Sequence, residues 1–295
     1  VPRRRAGRPR AGAVDATIAR ALAEDRADRD RTSRAVVPTG TRLTADLVAQ
    51  ARGTVSGLAV VGRLARRQRL AFQAYRHDGD RVVPGTRVAT ITGDARRVLG
   101  AERTALNFLM HLSGVATATA AAVRRAGGRM EVRATRKTLP GLRSLEKAAV
   151  VHGGGAPHRA DLAERILVKS THVALVGLGP AVARARARAR RDETIEVEVR
   201  TAPEAIAAVR AGARAILVDN AGPAGARRVV RALEGAGLRR GVVIELSGGI
   251  RGATVARYRS TGADAVSLGD LTHSAPALPF HLVVRTTRRR RPAPR

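Results

Sequence analysis

Thr194-Ile-Glu-Val-Glu-Val-Arg-Thr-Ala-Pro-Glu-Ala-Ile-Ala-Ala-Val-Arg-Ala-Gly-Ala-Arg-Ala-Ile-Leu-Val-Asp219 is the stretch that decides the fold. Its two ends, 194–199 and 215–219, read as short strands, and the Ala-rich middle, about 203–211, reads as a helix. Strand, helix and strand at this spacing mean a crossover and a parallel pair. The pattern recurs on both sides. Met130-Glu-Val-Arg-Ala, Ile166-Leu-Val-Lys, Val242-Val-Ile-Glu-Leu and Ala265-Val-Ser-Leu are further strands, with helices expected near 143–152, 180–191, 223–236 and 252–261. Such a run fits a doubly wound sheet or a closed barrel. The polar residues separate the two: Arg136 and Lys137, Lys169, Glu198, Asp219, Ser247-Gly-Gly and Gly269 stand at the C-terminal ends of successive strands. A doubly wound sheet gathers such residues at one switch point, whereas a barrel brings every strand end to one mouth. A β/α barrel is therefore predicted.

The N-terminal part has a different grain. A helix is expected over about 13–36, where Ile18-Ala-Arg-Ala-Leu-Ala keeps helical spacing. Residues 53–97 read as strands and hairpins, from Gly57-Leu-Ala-Val-Val through the His77-Asp-Gly-Asp turn to Val82-Val-Pro-Gly-Thr-Arg-Val-Ala-Thr-Ile. A second helix is expected at about 98–112. The Arg-rich ends, 1–12 and 285–295, read as disordered arms.

Composition narrows the chemistry. With no cysteine among 295 residues, thiolate catalysis and Cys-ligated zinc are excluded. No apolar run of bilayer-spanning length is read, and Val1-Pro-Arg-Arg-Arg-Ala-Gly-Arg-Pro-Arg leads into no apolar signal region, so a cytoplasmic protein without a membrane role is expected. The net charge of +31 falls to +20 once the eleven arginines of the two ends are set aside. That excess invites a nucleic-acid reading, but aromatics are 2% of the chain, too few for stacking platforms. Solvated arginine and attraction for small anions explain it better, and the basic run Arg184, Arg186, Arg188, Arg190 and Arg191 reads as a solvated helix face.

Lysine is rare: three against fifty-two arginines, at Lys137, Lys147 and Lys169, all within 33 residues. An ammonium is a compact point charge and a guanidinium a planar fork, so retained lysines mark a pocket for carboxylate or phosphate oxygens. Arg136 and Lys137, with His158-Arg159 after Gly153-Gly-Gly, could hold a dicarboxylate; solvated loop charges are the alternative. Lys169 at a strand end is expected to have a partner, and a structural ion pair with Glu198 is the plainer reading. Glu198 and Asp219 end neighbouring strands, within reach of one Mg²⁺ or one sugar diol. Ser247-Gly-Gly-Ile and Gly269 occupy the corner where barrels bind phosphate through backbone N–H groups. His77, His111, His152, His172 and His281 show no metal-ligand spacing.

At these residues the chain resembles the quinolinate phosphoribosyltransferase family. The ordered match runs from Glu24-Asp25 and Asp30-Arg-Thr-Ser through Glu102-Arg103, Leu106-Asn-Phe-Leu and Ser113-Gly-Val-Ala-Thr to Thr135-Arg-Lys-Thr and His158-Arg159. It continues with Lys169, His172, Ile195-Glu-Val-Glu-Val, Val218-Asp-Asn, Ser247-Gly-Gly-Ile and Leu271-Thr-His-Ser. The resemblance implies an α/β fold: an N-terminal α/β sandwich domain over 13–112, rejoined by 275–284, and an incomplete β/α barrel over 113–274. It implies a homodimer in which the neighbouring subunit supplies Arg103. The reaction implied joins quinolinate to phosphoribosyl pyrophosphate with Mg²⁺, giving nicotinate mononucleotide, pyrophosphate and CO₂. Arg103, Arg136, Lys137, His158 and Arg159 would hold the acid. Lys169, Glu198 and Asp219 would handle the ribose, pyrophosphate and metal, and Ser247, Gly248, Gly249 and Gly269 the 5′-phosphate. The chain departs from the family pattern at Ala134 (usually Asp), Pro157 (commonly Asn), Ser170-Thr171 (Asp-Asn) and Glu164 (Asp). A diverged paralogue acting on another heteroaromatic acid, or an inactive basic binding protein, are the alternatives.

Overall fold

The computed structural model describes residues 11–285. They divide into two compact units, 11–117 with 276–285 and 118–275. The strands in chain order are β1 (Arg42–Ala49), β2 (Gly53–Thr54), β3 (Ala71–Ala74), β4 (Arg81–Val82), β5 (Arg87–Asp94) and β6 (Glu131–Arg133). They continue as β7 (Leu167–Val168), β8 (Glu196–Val199), β9 (Ala215–Asp219), β10 (Val243–Ser247), β11 (Ala265–Ser267) and β12 (Phe280–Val284).

The first unit is built on an antiparallel sheet of order β12-β1-β5-β3. Its strand β1 was not anticipated, because the alternation that buries Ala45, Leu47 and Ala49 is written partly in alanine. The expected 13–36 helix is broken into Ala11–Glu24, a 3₁₀ turn Ala27–Arg29 and Arg31–Val36. The break is local: Arg26 adopts φ 48°, and the Asp30 carboxylate accepts from Ser33 N at 3.1 Å, capping the last piece.

Gly57-Leu-Ala-Val-Val is not a strand. Leu58–Arg67 is a helix, entered through Gly57 at φ 104°, and Asp78 accepts from Leu58 N at 2.9 Å and Ala59 N at 3.4 Å. Leu58, Val61, Leu64 and Ala65 are buried on one face, a helical spacing masked by the paired valines. The second helix is far longer than 98–112 and runs from Ala95 to Ala126. By length and composition it could cross a membrane, contrary to the expectation that nothing here could, yet 56% of its most apolar window is buried within the protein. Its Leu106, Leu109, Leu112 and Val115 are core residues. Of the expected basic arms, 1–10 and 286–295 lie outside the described residues, whereas Ala11 and Gly12 open the first helix and Arg285 pairs with Asp46 at 2.8 Å.

The second unit holds a parallel sheet of order β6-β11-β10-β9-β8-β7. The earliest strand pairs with the last, so the run wraps round; a doubly wound sheet would reverse its order in the middle instead. Beyond β6, Arg133 bridges in parallel to Ala156, and no strand pairing among the described residues joins that segment to β7. The barrel is therefore incomplete, open on one side. The helices Arg143–His152, Ala202–Arg210 and Pro223–Gly235 fall where periodicity placed them. Two differences stand out: Ser170–Val176 is an additional helix before Leu178–Arg188, and the expected 252–261 helix is only a 3₁₀ turn, Val255–Tyr258.

Candidate active site

Parallel pairing places the C-terminal ends of β6 to β11 at one end of their sheet, and register fixes which side chains stand there. Ser247 lies opposite Asp219, and Glu198 opposite Leu217, two residues before Asp219. Residues in register share a face, as do residues two apart, so Glu198, Asp219 and Ser247 point to the same side. Lys169 follows Val168, which pairs with Val197, and so stands next to Glu198. On the other flank Arg136 and Lys137 follow β6, and Gly269 follows β11. These two segments touch: Thr272 Oγ1 donates to the Lys137 carbonyl at 2.7 Å, and a Cβ on Gly269 would lie 3.2 Å from the Lys137 side chain.

Lys169 does not pair with Glu198. It is exposed, so no buried partner is demanded, and its own N–H is held by His172 Nδ1 at 2.9 Å. Glu198 Oε1 instead accepts from Ser170 N at 3.3 Å and Ser170 Oγ at 2.7 Å. Asp219 Oδ2 accepts from Asn220 Nδ2 at 2.7 Å and stands 3.9 Å from Arg200 Nε. Among the described residues, Glu198 Oε2 and Asp219 Oδ1 accept no hydrogen bond. One unengaged oxygen on each of two half-buried carboxylates suits a hard cation such as Mg²⁺, which takes one or two carboxylates beside substrate phosphates.

The glycine corner is set by contact with the β9 loop. Ser247 O accepts from Asn220 N at 2.9 Å, Asn220 sits at φ 54°, and Gly248 and Gly249 at φ 84° and 62°. A Cβ on Gly248 would lie 2.5 Å from the Asn220 backbone nitrogen, so a side chain there must displace the loop that follows Asp219. Gly248→Ala is expected to cost about 2 kcal/mol in stability, from the left-handed backbone and the clash together. It should also raise KM for the phosphorylated substrate more than for the acid, measured by steady-state kinetics alongside a thermal melt.

Below the rim lies a polar layer that the sequence reading did not assign. Arg133, Glu196, Glu245 and Ser267 point into the barrel from four strands, with Glu196 and Glu245 1% and 0% exposed. Glu245 accepts from Arg133 Nη1 and Ser267 Oγ, and Arg133 Nε also reaches Glu131 at 2.6 Å. Burial works against the Glu196 charge, but His158, Arg165 and Arg133 outweigh it and hold the carboxyl below its usual range. The alternation Glu196-Val-Glu-Val was the available signal, since it puts both acids on one face and both valines on the other.

His158 belongs to this layer rather than to a rim for carboxylates. It sits at φ 50°, its Nε2 faces Glu245 at 3.4 Å and Glu196 at 3.5 Å, and its Nδ1 accepts from Arg159 N at 2.7 Å. Its Nδ1 is engaged by the backbone and its Nε2 faces the two buried carboxylates, so in this structure the ring is turned into the layer. His158, Glu196 and Glu245 are close enough together to suggest a metal site. The tautomer argues against it: with Nδ1 accepting, the neutral ring carries its proton on Nε2 and has no lone pair there to give.

Arg159 is 5% exposed and donates to Arg165 O at 3.2 Å. Burial, then the nearby Arg136 guanidinium, lowers its pKa. Arg136 Nε is itself buried with no partner. Arg103 is exposed on the Ala95–Ala126 helix and belongs to the antiparallel unit.

Comparison with known proteins gives the family. Residues 30–113 match the model for the quinolinate phosphoribosyl transferase N-terminal domain, and 115–283 the model for its C-terminal domain. A probable nicotinate-nucleotide pyrophosphorylase [carboxylating] of Methanothermobacter thermautotrophicus is 39% identical over 87% of this chain and 93% of its own. The nicotinate-nucleotide pyrophosphorylase [carboxylating] of Mycobacterium leprae is 38% identical over 90% of this chain and 95% of its own. The crystal structure of NadC from Streptococcus pyogenes superimposes with a TM-score of 0.86 at 37% identity, covering 94% of this chain and 99% of that one. With both domain models matched in order and close relatives spanned almost end to end, the chain belongs to the quinolinate phosphoribosyltransferase family.

Proposed function

We propose that this enzyme transfers phosphoribosyl from phosphoribosyl pyrophosphate to quinolinate with loss of CO₂, forming nicotinate mononucleotide for NAD biosynthesis. The observation that supports the reading is that Lys169, Glu198, Asp219 and Ser247 end neighbouring strands of one parallel sheet whose first strand leads into Arg136 and Lys137, in a chain of this family. Full-length similarity to pyrophosphorylases favours this over a diverged paralogue or an inactive basic binding protein.

The acid's two carboxylates sit against Arg136, Lys137 and Arg159, which orients the ring nitrogen toward the anomeric carbon. As the nitrogen attacks, the bond to pyrophosphate breaks and positive charge develops on the sugar; Glu198 and Asp219 offset that charge, and Lys169 faces the departing oxygens. Ser247, Gly248, Gly249 and Gly269 receive the 5′-phosphate through backbone N–H groups. Glu198 and Asp219 would hold Mg²⁺, which when bound would neutralise charge on the pyrophosphate. The carboxylate beside the ring nitrogen then leaves as CO₂, its electron pair stays on the vacated carbon next to the now cationic nitrogen, and a proton takes its place. The reading includes a homodimer in which the partner's copy of the Arg103 helix completes the acid site, and a soluble enzyme of the cytoplasm.

Purified protein with quinolinate, phosphoribosyl pyrophosphate and Mg²⁺ should release CO₂ and nicotinate mononucleotide in equal amounts, and chelation should stop both. Release of neither product refutes the reading. Light scattering of the same sample reports the dimer.

A further inference from the structure

Lys147, the middle member of the rare-lysine window, has been given no role so far. It lies in the helix Arg143–His152 and is 3% exposed. Among the described residues it makes no salt bridge, and its ammonium donates to the carbonyl of Pro157. That carbonyl opens the Pro157-His158-Arg159 turn, in which His158 takes a left-handed backbone and Arg159 N closes back on His158 Nδ1. Proline has a fixed φ and no N–H, so its carbonyl direction is set by few freedoms, and one donor suffices to fix the turn.

The charges around Lys147 do not balance. Arg143, Arg136 and Arg159 oppose its protonation and Glu164 alone favours it, while burial is the largest influence of all and brings its pKa down to about 8. Arg159 is likewise depressed by burial and by Arg136, and Arg136 carries an unpartnered buried Nε. Glu164 beside Lys147 and Glu196 beside Arg159 offset this only in part, and buried cations that outnumber the carboxylates near them cost stability unless an anion joins them. A purely structural lysine would be better replaced by an apolar side chain.

We propose that Lys147 is a positioning residue for the acid substrate: its buried ammonium holds the Pro157–Arg159 turn and adds a third positive charge beside Arg136 and Arg159, matching the pocket to a dianion. This rests on the proposed function for the identity of the acid, but not on turnover. The protonated form is the binding form, so affinity for a dicarboxylate is full below pH 8 and falls as pH rises through the lysine's own titration.

The test is calorimetric titration of quinolinate into the full chain, the Lys147→Met variant and the Lys147→Arg variant from pH 7 to pH 9, with thermal melts of each. The wild-type Kd should weaken about tenfold across that range, as expected for one linked proton. Lys147→Met should bind about tenfold more weakly at pH 7 without a lower Tm, and Lys147→Arg should lose the pH dependence because guanidinium stays charged. A Lys147→Met variant that binds within twofold of wild type overturns the proposal. If Lys147→Met does not fold, the Arg variant decides: an unchanged pH dependence there overturns it, and a lost one supports it. Wild-type protein that binds quinolinate without turning it over contradicts the catalytic reading alone; wild-type protein that binds none contradicts both.

Discussion

Lys169→Arg should lower kcat at least about 10²-fold, the usual cost of removing one charged group aimed at a transition state, and should leave Tm unchanged. The two halves of that result have separate causes. Lys169 is exposed and makes no ion pair among the described residues, so the folded protein does not depend on its charge. The proposed reaction depends instead on its position one residue past Val168, next to Glu198. A guanidinium in that place is longer, planar and fork-shaped, and it would reach Glu198 Oε2 or Asp219 Oδ1, the oxygens now left for sugar and metal. Lys169→Ala tests the charge alone and should lose a similar factor. Initial rates of CO₂ release at saturating substrates, with a melt of each variant, separate the cases. A Lys169→Arg enzyme within fivefold of wild-type kcat would mean that the ammonium is not specifically required.

The parallel unit was readable because its strands are short apolar runs ended by polar residues, and that punctuation survives an alanine- and arginine-rich composition. Ala215–Asp219 and Val243–Ser247 fall within a residue of their predicted places, and the wrap of β6 onto β11 follows from the same ordering. The antiparallel unit was harder because its signals are non-local. Leu58–Arg67 is a helix by virtue of Asp78, twenty residues away in sequence, whose carboxylate caps its first turn. No window of propensity contains both. The polar residues at the strand ends were legible for the same reason as the strands, but the layer beneath them was not. Glu196 and Glu245 look like solvent-facing positions in a strand, and it is Arg133, Ser267, His158 and Arg165, delivered by other segments, that make their burial tolerable. The orientation of His158 was equally hidden: its sequence neighbour Arg159 suggests a cation cluster, whereas the left-handed backbone at His158 turns the ring toward Glu245 and Glu196.

That hidden layer carries the largest stability effect. Glu245→Ala should destabilise the protein by about 3–5 kcal/mol, the range for removing one partner of a buried ion pair, and lower Tm by about 10 °C, given roughly 2–4 °C per kcal/mol at domain sizes of 150–250 residues. Glu245 is fully buried and accepts from Arg133 Nη1 and Ser267 Oγ while His158 Nε2 stands 3.4 Å away. Its loss leaves Arg133, whose side chain is 12% exposed, with the half-exposed Glu131 as its one remaining carboxylate among the described residues, and leaves the His158 N–H with Glu196 alone. Glu245→Gln is the informative companion: the amide keeps the volume and one acceptor for Arg133 or Ser267, so its cost should stay nearer 1–2 kcal/mol. The pair also predicts an ordering in function. The His158 ring connects this layer to Arg159 through a 2.7 Å bond to its backbone N–H, so loosening the ring should raise KM for the acid before it changes the handling of phosphoribosyl pyrophosphate. Denaturant melts and paired KM measurements on the two variants check both orderings. Equal destabilisation by Ala and Gln would show that the carboxylate's charge, rather than its shape and acceptors, holds the barrel interior together.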